Sequence, residues 1–264
     1  MSGKEKARSI GATIKRLPGQ ALREEREKLV DSLINEPAMF MFAGWIVLGI
    51  ECLHVFAKTQ PSIWMGVIVA FATTFYALRR MFKARREIRN YRKGEEGELI
   101  VAQAIEQNLI PKGYVVFHDI QPEKDGKRSN IDHLLIGENG IFAIETKTYK
   151  KPDNRSPEVR YDGRELLWGG VKHVRNGESE IDMSRRHARD AKILIDELTG
   201  LNVYVHPVLC AVGWCAKSTD QYGHPVLLVM EKTIGSTIPK VKPKMQLSEA
   251  DRNKIVAALK RDAQ

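Results

Sequence analysis

Three residues of one predicted β-hairpin have the types and the spacing to bind a metal ion together. Asp132 lies in the apolar run NIDHLLI, whereas Glu145 and Lys147 lie in the run IFAIETKTY. A turn centred on Glu138 and Asn139 would pair Asp132 directly with Glu145, with their Cβ atoms about 5 Å apart. Lys147 follows Glu145 by two positions and therefore projects from the same face of the sheet.

Two carboxylates held this close in strands of otherwise apolar sequence repel each other, and a cation would relieve that repulsion. Hard oxygen ligands suit Mg²⁺ or Mn²⁺, and such an ion activates water and stabilises charge on a phosphate. The ammonium of Lys147 is placed to orient that water or to offset phosphate charge. An ordinary ion pair at a strand edge explains the same residues, so both interpretations stay open at this point.

The elements that must position these residues are predicted to form a mixed α/β unit. One helix is expected from Gly94 to about Asn108, and a second over residues 181–198, with Gly200 just past its end. His187 lies on the apolar stripe of the second helix and is predicted to be a core residue. Apolar and β-branched runs predict strands at 114–120, 130–136, 141–149, 158–161, 165–168, 203–212 and 225–230, and a last helix begins at Ser248. Strands that are apolar on both faces predict a sheet covered by helices on both sides.

The element order and several spaced motifs resemble the nuclease-related domain (NERD) family of PD-(D/E)XK restriction-endonuclease-like proteins. The matching motifs are Gly94-x-x-Gly97-Glu98, Ile131-Asp132-His133, and Gly140-Ile141-Phe142 followed by Ile144-Glu145-Thr146-Lys147. The resemblance covers roughly residues 94–213. It implies a three-layer α/β core of helix, three strands, helix and strand. It also implies metal-dependent hydrolysis of phosphodiester bonds, with DNA as the expected substrate and RNA as the second choice.

The resemblance further implies that Glu98, on the first core helix, joins Asp132 and Glu145 as a third metal ligand. An ordinary explanation is available for Glu98, because acidic residues in the first turn of a helix stabilise its dipole. Glu95 and Glu96 could serve that purpose equally well. Glu98 is therefore predicted as a catalytic residue on the strength of the resemblance.

A basic face on the second core helix is the predicted contact with nucleic acid. Arg185, Arg189 and Lys192 share one side of the helix over residues 181–198, and such side chains suit phosphate contacts. A solvated helix face explains them as well. The family often has a glutamine on this helix, and this chain has Arg185 and Arg186 there instead, which leaves the substrate contacts of the helix open.

Two apolar stretches before this domain predict a hairpin in the lipid bilayer. Residues 38–56 and 61–78 each approach the ~20 residues that a bilayer-spanning helix needs. Residues 79–93 hold eight basic and one acidic side chain of a chain whose net charge is +9, and residues 94–264 carry no net charge. The positive-inside rule then places both termini and the nuclease-like domain in the cytoplasm. The alternative is a pair of buried helices in a soluble protein.

These patterns divide the chain into five predicted regions. They are a cytoplasmic amphipathic segment (1–37), a transmembrane hairpin (38–78), a basic juxtamembrane linker (79–93), the nuclease-like domain (94–234) and a C-terminal helical extension (235–264). The predicted function is a membrane-anchored, metal-dependent nuclease. The alternative is a non-catalytic membrane-tethered nucleic-acid-binding or scaffold protein that keeps the fold, although such a protein would not need the two acids and the lysine.

Two further sets of residues carry little functional signal. Glu51 and His54 lie inside the first apolar stretch, where ionisable groups can mark a sensor, but both are near its end and can reach water. Cys52, Cys210 and Cys215 form neither a disulfide framework nor a metal-binding spacing. An odd number of cysteines without such a pattern fits a reducing compartment.

Overall fold

The computed structural model describes residues 17–57, 63–124, 127–151, 157–175, 177–218 and 223–261. Its internal contacts divide the chain into two compact units. One contains Met1–Ala21 together with Gly94–Gln264, and the other contains Leu22–Lys93. Residues 1–16 of the predicted amphipathic segment and residues 58–62, between and at the start of the apolar stretches, lie outside the described residues.

Helices make up the unit of Leu22–Lys93. Helix α1 spans Gln20–Val30, a π-helical turn covers Asp31–Asn35, α2 spans Glu36–Phe56 and α3 spans Ile63–Asn108. Both α2 and α3 include stretches long and apolar enough to cross a membrane. Many of their large apolar side chains are exposed, among them Met39, Phe42, Trp64, Phe71 and Phe75.

Small residues allow α2 and α3 to pack closely within this unit. A Cβ atom at Gly44 would clash with the Thr73 hydroxyl, and one at Gly66 would lie 3.2 Å from the Cα of Leu48. Close backbone approach at glycine is typical of helices that associate in lipid. The indole of Trp45 also donates a hydrogen bond to Thr74 on the facing helix, at 3.0 Å.

The helix that was predicted to begin at Gly94 is the C-terminal part of α3. The helix continues through residues 79–93 because they are rich in arginine and lysine and contain no proline or glycine. Glu98 therefore lies far from the first turn of its helix. The explanation of Glu98 as compensation for a helix dipole is wrong, since that effect is confined to the terminal turns.

A five-stranded sheet forms the centre of the other unit. Its strands are β1 (Val115–Ile120), β4 (Ile131–Gly137), β5 (Gly140–Lys147), β10 (Val205–Ala211) and β12 (Leu227–Val229), in the order β1-β4-β5-β10-β12. The first three are antiparallel neighbours, whereas β10 is parallel to both β5 and β12. Two-residue strands β2 (Glu123–Lys124) and β3 (Lys127–Arg128) connect β1 to β4.

A second, smaller sheet has three strands. It contains the predicted hairpin of β6 (Glu158–Tyr161) and β7 (Leu166–Trp168), and also β11 (Cys215–Ser218), which pairs in parallel with β6 and was not predicted. A two-stranded ladder of β8 (Val174–Arg175) and β9 (Glu178–Ser179) precedes helix α4 (Glu180–Thr199). The chain ends with the short α5 (Ile234–Thr237) and α6 (Glu249–Arg261).

Helices cover both faces of the main sheet, so the predicted three-layer α/β core is confirmed. On one face Leu134 and Ala143 pack with Ala191 of α4 and Leu259 of α6. On the other face Leu135, Phe142 and Ile144 pack with Val101 and Ile105 of α3. Ile131, at the beginning of β4, packs in the cluster that contains α4.

Candidate active site

The register of the β4–β5 hairpin is the one that the sequence predicted. Gly137 pairs with Gly140, and the ladder runs back to the pair of His133 and Ile144. One step further in the same register, Asp132 lies opposite Glu145. Both side chains are buried, at 5% and 4% exposure. They project from the face of the sheet that packs against α4.

Glu145 is held as a carboxylate by two basic neighbours. Its Oε1 accepts a hydrogen bond from the ammonium of Lys147, and its Oε2 lies 2.6 Å from Nδ1 of His187. Burial alone would raise the pKa of Glu145, but Lys147 and His187 outweigh it and lower the pKa to about 2. Burial likewise opposes the charge on Lys147, yet Glu145 and Asp132 raise its pKa. Both groups are therefore charged at neutral pH.

The neighbouring acids have the opposite shift. Burial, followed by the charges of Glu145 and Glu98, raises the pKa of Asp132 well above its ordinary value. Burial, followed by the charges of Asp119 and Glu145, raises the pKa of Glu98 to about 8. Glu98, Asp119, Asp132 and Glu145 are named here the acidic cluster. The structure thus brings together the four residues predicted to be catalytic, including Lys147.

Carboxylates suit a hard divalent cation, and three observations bear on whether these residues fit one. Within the described ranges, Oε2 of Glu98 is buried without a hydrogen-bond partner. On Asp132, Oδ2 accepts the backbone N–H of Thr146 at 2.7 Å, whereas Oδ1 has a long contact of 3.5 Å from Asn130. Across that same part of the chain, no three His, Cys, Asp or Glu side chains form a ready-made metal-binding group. The carboxylate oxygens of these residues suit such a cation in kind.

Residues 93–212 match the family model of the nuclease-related domain, NERD. This part of the chain is similar to that family, and we refer to it as the NERD domain. NERD domains have a restriction-endonuclease-like fold, which agrees with the layers and strand order described above. The chain is also 39% identical over 59 residues to an uncharacterized protein of Bacillus anthracis. That match covers 22% of this chain and 27% of the relative, so the chain spans about a quarter of that protein. No solved structure matches this chain.

Asp119 is a residue of the NERD domain that the sequence analysis missed. It lies between His118 and Ile120, which pair with His133 and Ile131, so the register places Asp119 opposite Asp132. Its side chain is fully buried, and its φ of 51° is unusual for a residue other than glycine. The sequence did contain a signal for Asp119. It is an acid inside the apolar run YVVFHDI, on the predicted strand that precedes the strand of Asp132.

A second set of missed residues supports Lys147 and Glu145 from α4. His187 is buried as predicted, but its ring lies against Glu145 and is not surrounded by apolar side chains alone. Glu180, also buried, accepts a hydrogen bond from the hydroxyl of Tyr149 at 2.5 Å, and its charge raises the pKa of Lys147. The spacing of His187 along an amphipathic helix could not distinguish these contacts from core packing.

The predicted basic face of the NERD domain lies on the outer side of α4. Arg185, Arg189 and Lys192 are exposed, and they do not join the acidic cluster. Arg186 behaves differently, because its guanidinium pairs with both oxygens of Glu178, at 2.9 and 3.1 Å. Contact of the three exposed side chains with nucleic acid stays a prediction.

Proposed function

We propose that this protein is a metal-dependent nuclease that hydrolyses phosphodiester bonds, with DNA as the preferred substrate and RNA as the second choice. The observation that carries the proposal is the asymmetry of the acidic cluster. Glu145 is charged and fixed by Lys147 and His187, whereas Glu98 and Asp132 have raised pKa values beside it. Such an excess of buried acid over base favours the binding of a cation.

Asp132, Glu145 and Glu98 would hold Mg²⁺ or Mn²⁺ through carboxylate oxygens. A bound ion of this kind acidifies water and stabilises negative charge on a phosphate. Lys147, which Glu145 orients, is placed to offset charge on the substrate phosphate. His187 keeps Glu145 in position from the α4 side. Arg185, Arg189 and Lys192 would contact the nucleic-acid backbone without reading its sequence.

We also propose that α2 and the apolar part of α3 anchor the protein in a lipid bilayer, with both termini and the NERD domain in the cytoplasm. Exposed apolar side chains on both helices support this proposal. The concentration of positive charge in residues 79–93, directly after the apolar part of α3, supports the orientation. Fractionation and protease accessibility of a C-terminal tag in intact spheroplasts test the anchoring and the orientation.

The nuclease proposal is tested with the full chain in detergent or lipid nanodiscs. Supercoiled plasmid and a structured RNA are each incubated with Mg²⁺, with Mn²⁺ or with EDTA, and the wild type is compared with Asp132→Ala and Lys147→Ala. Lys254→Ala is the matched control, because Lys254 is exposed on α6. We expect metal-dependent cleavage that only the first two substitutions abolish. Cleavage that survives both would reject this site. A wild type inactive on both substrates with either metal would favour the non-catalytic scaffold.

A further inference from the structure

A short turn that precedes the first long apolar stretch lies against the acidic cluster. This N-terminal turn, residues 17–21, closes through a hydrogen bond from the backbone N–H of Gln20 to the carbonyl of Leu17, at 3.1 Å. Gly19 occupies its centre with a φ of 73°, a conformation in which side-chain-bearing residues are strained. Gly19 is also buried, so the turn is part of the folded NERD-containing unit.

Two backbone N–H groups of the N-terminal turn bind two carboxylates of the acidic cluster. The N–H of Gly19 donates to Glu98 and lowers its pKa against the larger effect of burial. The N–H of Ala21 donates to Oδ2 of Asp119 at 2.8 Å. Gly19 also packs against Glu95, and an added Cβ would lie 3.1 Å from the Cγ of Glu95. The backbone at Gly19 therefore lies close to the side of α3 that carries Glu98.

These contacts serve both partners. Ala21 lies in the first turn of α1, where backbone N–H groups have no partner inside the helix. Asp119, 98 residues further along the chain, accepts this hydrogen bond as a capping side chain would. In return, the Gly19 N–H favours the charged form of Glu98. Because both donors belong to the backbone, no side chain at Gly19 or Ala21 could provide these hydrogen bonds instead.

We propose that the N-terminal turn is a positioning element of the nuclease site, and that Asp119 is the residue that anchors it. Gly19 restrains the Glu98 carboxylate from one side, while Oε2 of Glu98 has no hydrogen-bond partner among the described residues. This inference rests on the proposed function, because it assigns the turn to the same metal and phosphate chemistry. The site thereby combines residues that precede residues 22–93 in sequence with residues that follow them. A fragment that begins at Gly94 contains every family motif but lacks the N-terminal turn.

Hydrogen–deuterium exchange of the full chain in nanodiscs tests the anchoring without reference to activity. We expect slow exchange of the Gly19 and Ala21 amides in the wild type and at least tenfold faster exchange in Asp119→Ala. Asp196→Ala is the control, because Asp196 is exposed on α4. Equal exchange of these amides in the wild type and in Asp119→Ala would overturn the proposal.

Ala21→Pro tests the positioning role. Proline lacks the donated N–H but is tolerated in the first turn of a helix. Leu22→Pro is the matched control, because it places proline at the next position and leaves both donated N–H groups intact. For Ala21→Pro we expect kcat on plasmid DNA to fall about tenfold with KM unchanged, and Mn²⁺ to bind about tenfold more weakly in a calorimetric titration. For Leu22→Pro we expect both quantities within threefold of the wild type.

These measurements separate this inference from the proposed function. If Ala21→Pro and Leu22→Pro have the same kcat and the same Mn²⁺ affinity, the N-terminal turn has no positioning role. If the wild type cleaves neither DNA nor RNA, the proposed function fails, and the exchange and Mn²⁺ titrations still decide whether the turn organises the acidic cluster. A loss of Mn²⁺ affinity in Ala21→Pro alone would support the inference even then.

Discussion

Glu145 and Glu98 are buried to the same degree in one acidic cluster, yet their pKa values differ by a wide margin. Burial raises the pKa of both. For Glu145, Lys147 and His187 reverse that effect and lower the pKa to about 2. For Glu98 the charges of Asp119 and Glu145 add to burial, the opposing effect of Lys147 is smaller, and the pKa rises to about 8.

The comparison teaches that one side of the cluster carries its own counter-charges and the other side does not. Glu145 and Lys147 form a charged pair that the fold holds in place, with the ring of His187 against Glu145. Glu98 and Asp132 are acids for which a proton, or a cation supplied from solution, must balance the charge. We infer that the first side positions the groups that act on substrate, whereas the second side creates the affinity for metal.

The largest expected effect comes from removing the counter-charge of Glu145. Lys147→Ala takes away the ammonium proposed to act on the phosphate, and we expect cleavage to fall at least about a hundredfold. Lys147→Arg keeps the charge, and we expect it to retain more activity than Lys147→Ala. Initial rates of plasmid nicking at saturating Mn²⁺ measure the difference. Equal rates for wild type and Lys147→Ala would show that this side of the cluster takes no part in the chemistry.

Stability should change in opposite directions when the two glutamates are neutralised. Glu145→Gln leaves a lysine without its carboxylate, and we expect the free energy of unfolding to fall by about 2–4 kcal/mol. Glu98→Gln removes a buried group whose charged form is unfavourable, and we expect a rise on the order of 1 kcal/mol at pH 7 without metal. Chemical denaturation of the metal-free protein in detergent measures both changes. Losses of equal size at the two positions would contradict the comparison.

The same asymmetry predicts a pH dependence of stability. The folded pKa of Glu98 exceeds its ordinary value of 4.5, so the unfolded chain releases this proton first, and the metal-free protein should lose stability as pH rises from 4.5 to about 8. The pKa of Glu145 is depressed, so its contribution is present above pH 4.5 and is lost as pH falls toward about 2. Unfolding free energies between pH 5 and 8 should therefore slope less in Glu98→Gln than in the wild type. An identical slope would mean that Glu98 does not titrate in this window.

The sequence predicted the part of the site that depends on local pattern. Gly137 and Gly140 bracket a two-residue turn between apolar strands, which determines the pairing of β4 with β5 and places Asp132 opposite Glu145. The limits of α4 were predicted almost to the residue, since Gly200 ends it in a left-handed conformation. Turn and cap residues carry such information because only a few backbone conformations are open to them.

The remaining part depends on contacts between distant residues that no local pattern encodes. Gly94 was interpreted as a helix start, whereas helix propensity carries α3 across it. Asp119 resembled an ordinary strand residue, and its contact with Ala21 spans 98 positions of sequence. Backbone N–H groups of the N-terminal turn leave no trace in residue type beyond the glycine that permits their conformation. Glu98 and Asp119 were therefore harder to assign than Asp132, Glu145 and Lys147.

The smallest expected effect concerns the exposed basic face of α4. Its side chains do not join the acidic cluster, so their substitution is a reference for the changes at the two glutamates. The double substitution of Arg185→Ala and Arg189→Ala should raise KM for DNA about three- to tenfold and leave kcat unchanged, because phosphate contacts contribute to binding more than to chemistry. The slope of log KM against log salt concentration should fall by about 0.9 for each arginine–phosphate interaction that the substitutions remove. Lys254→Ala on α6, which removes one exposed charge elsewhere, controls for net charge. A double variant with wild-type salt dependence would assign these arginines to a solvated helix face.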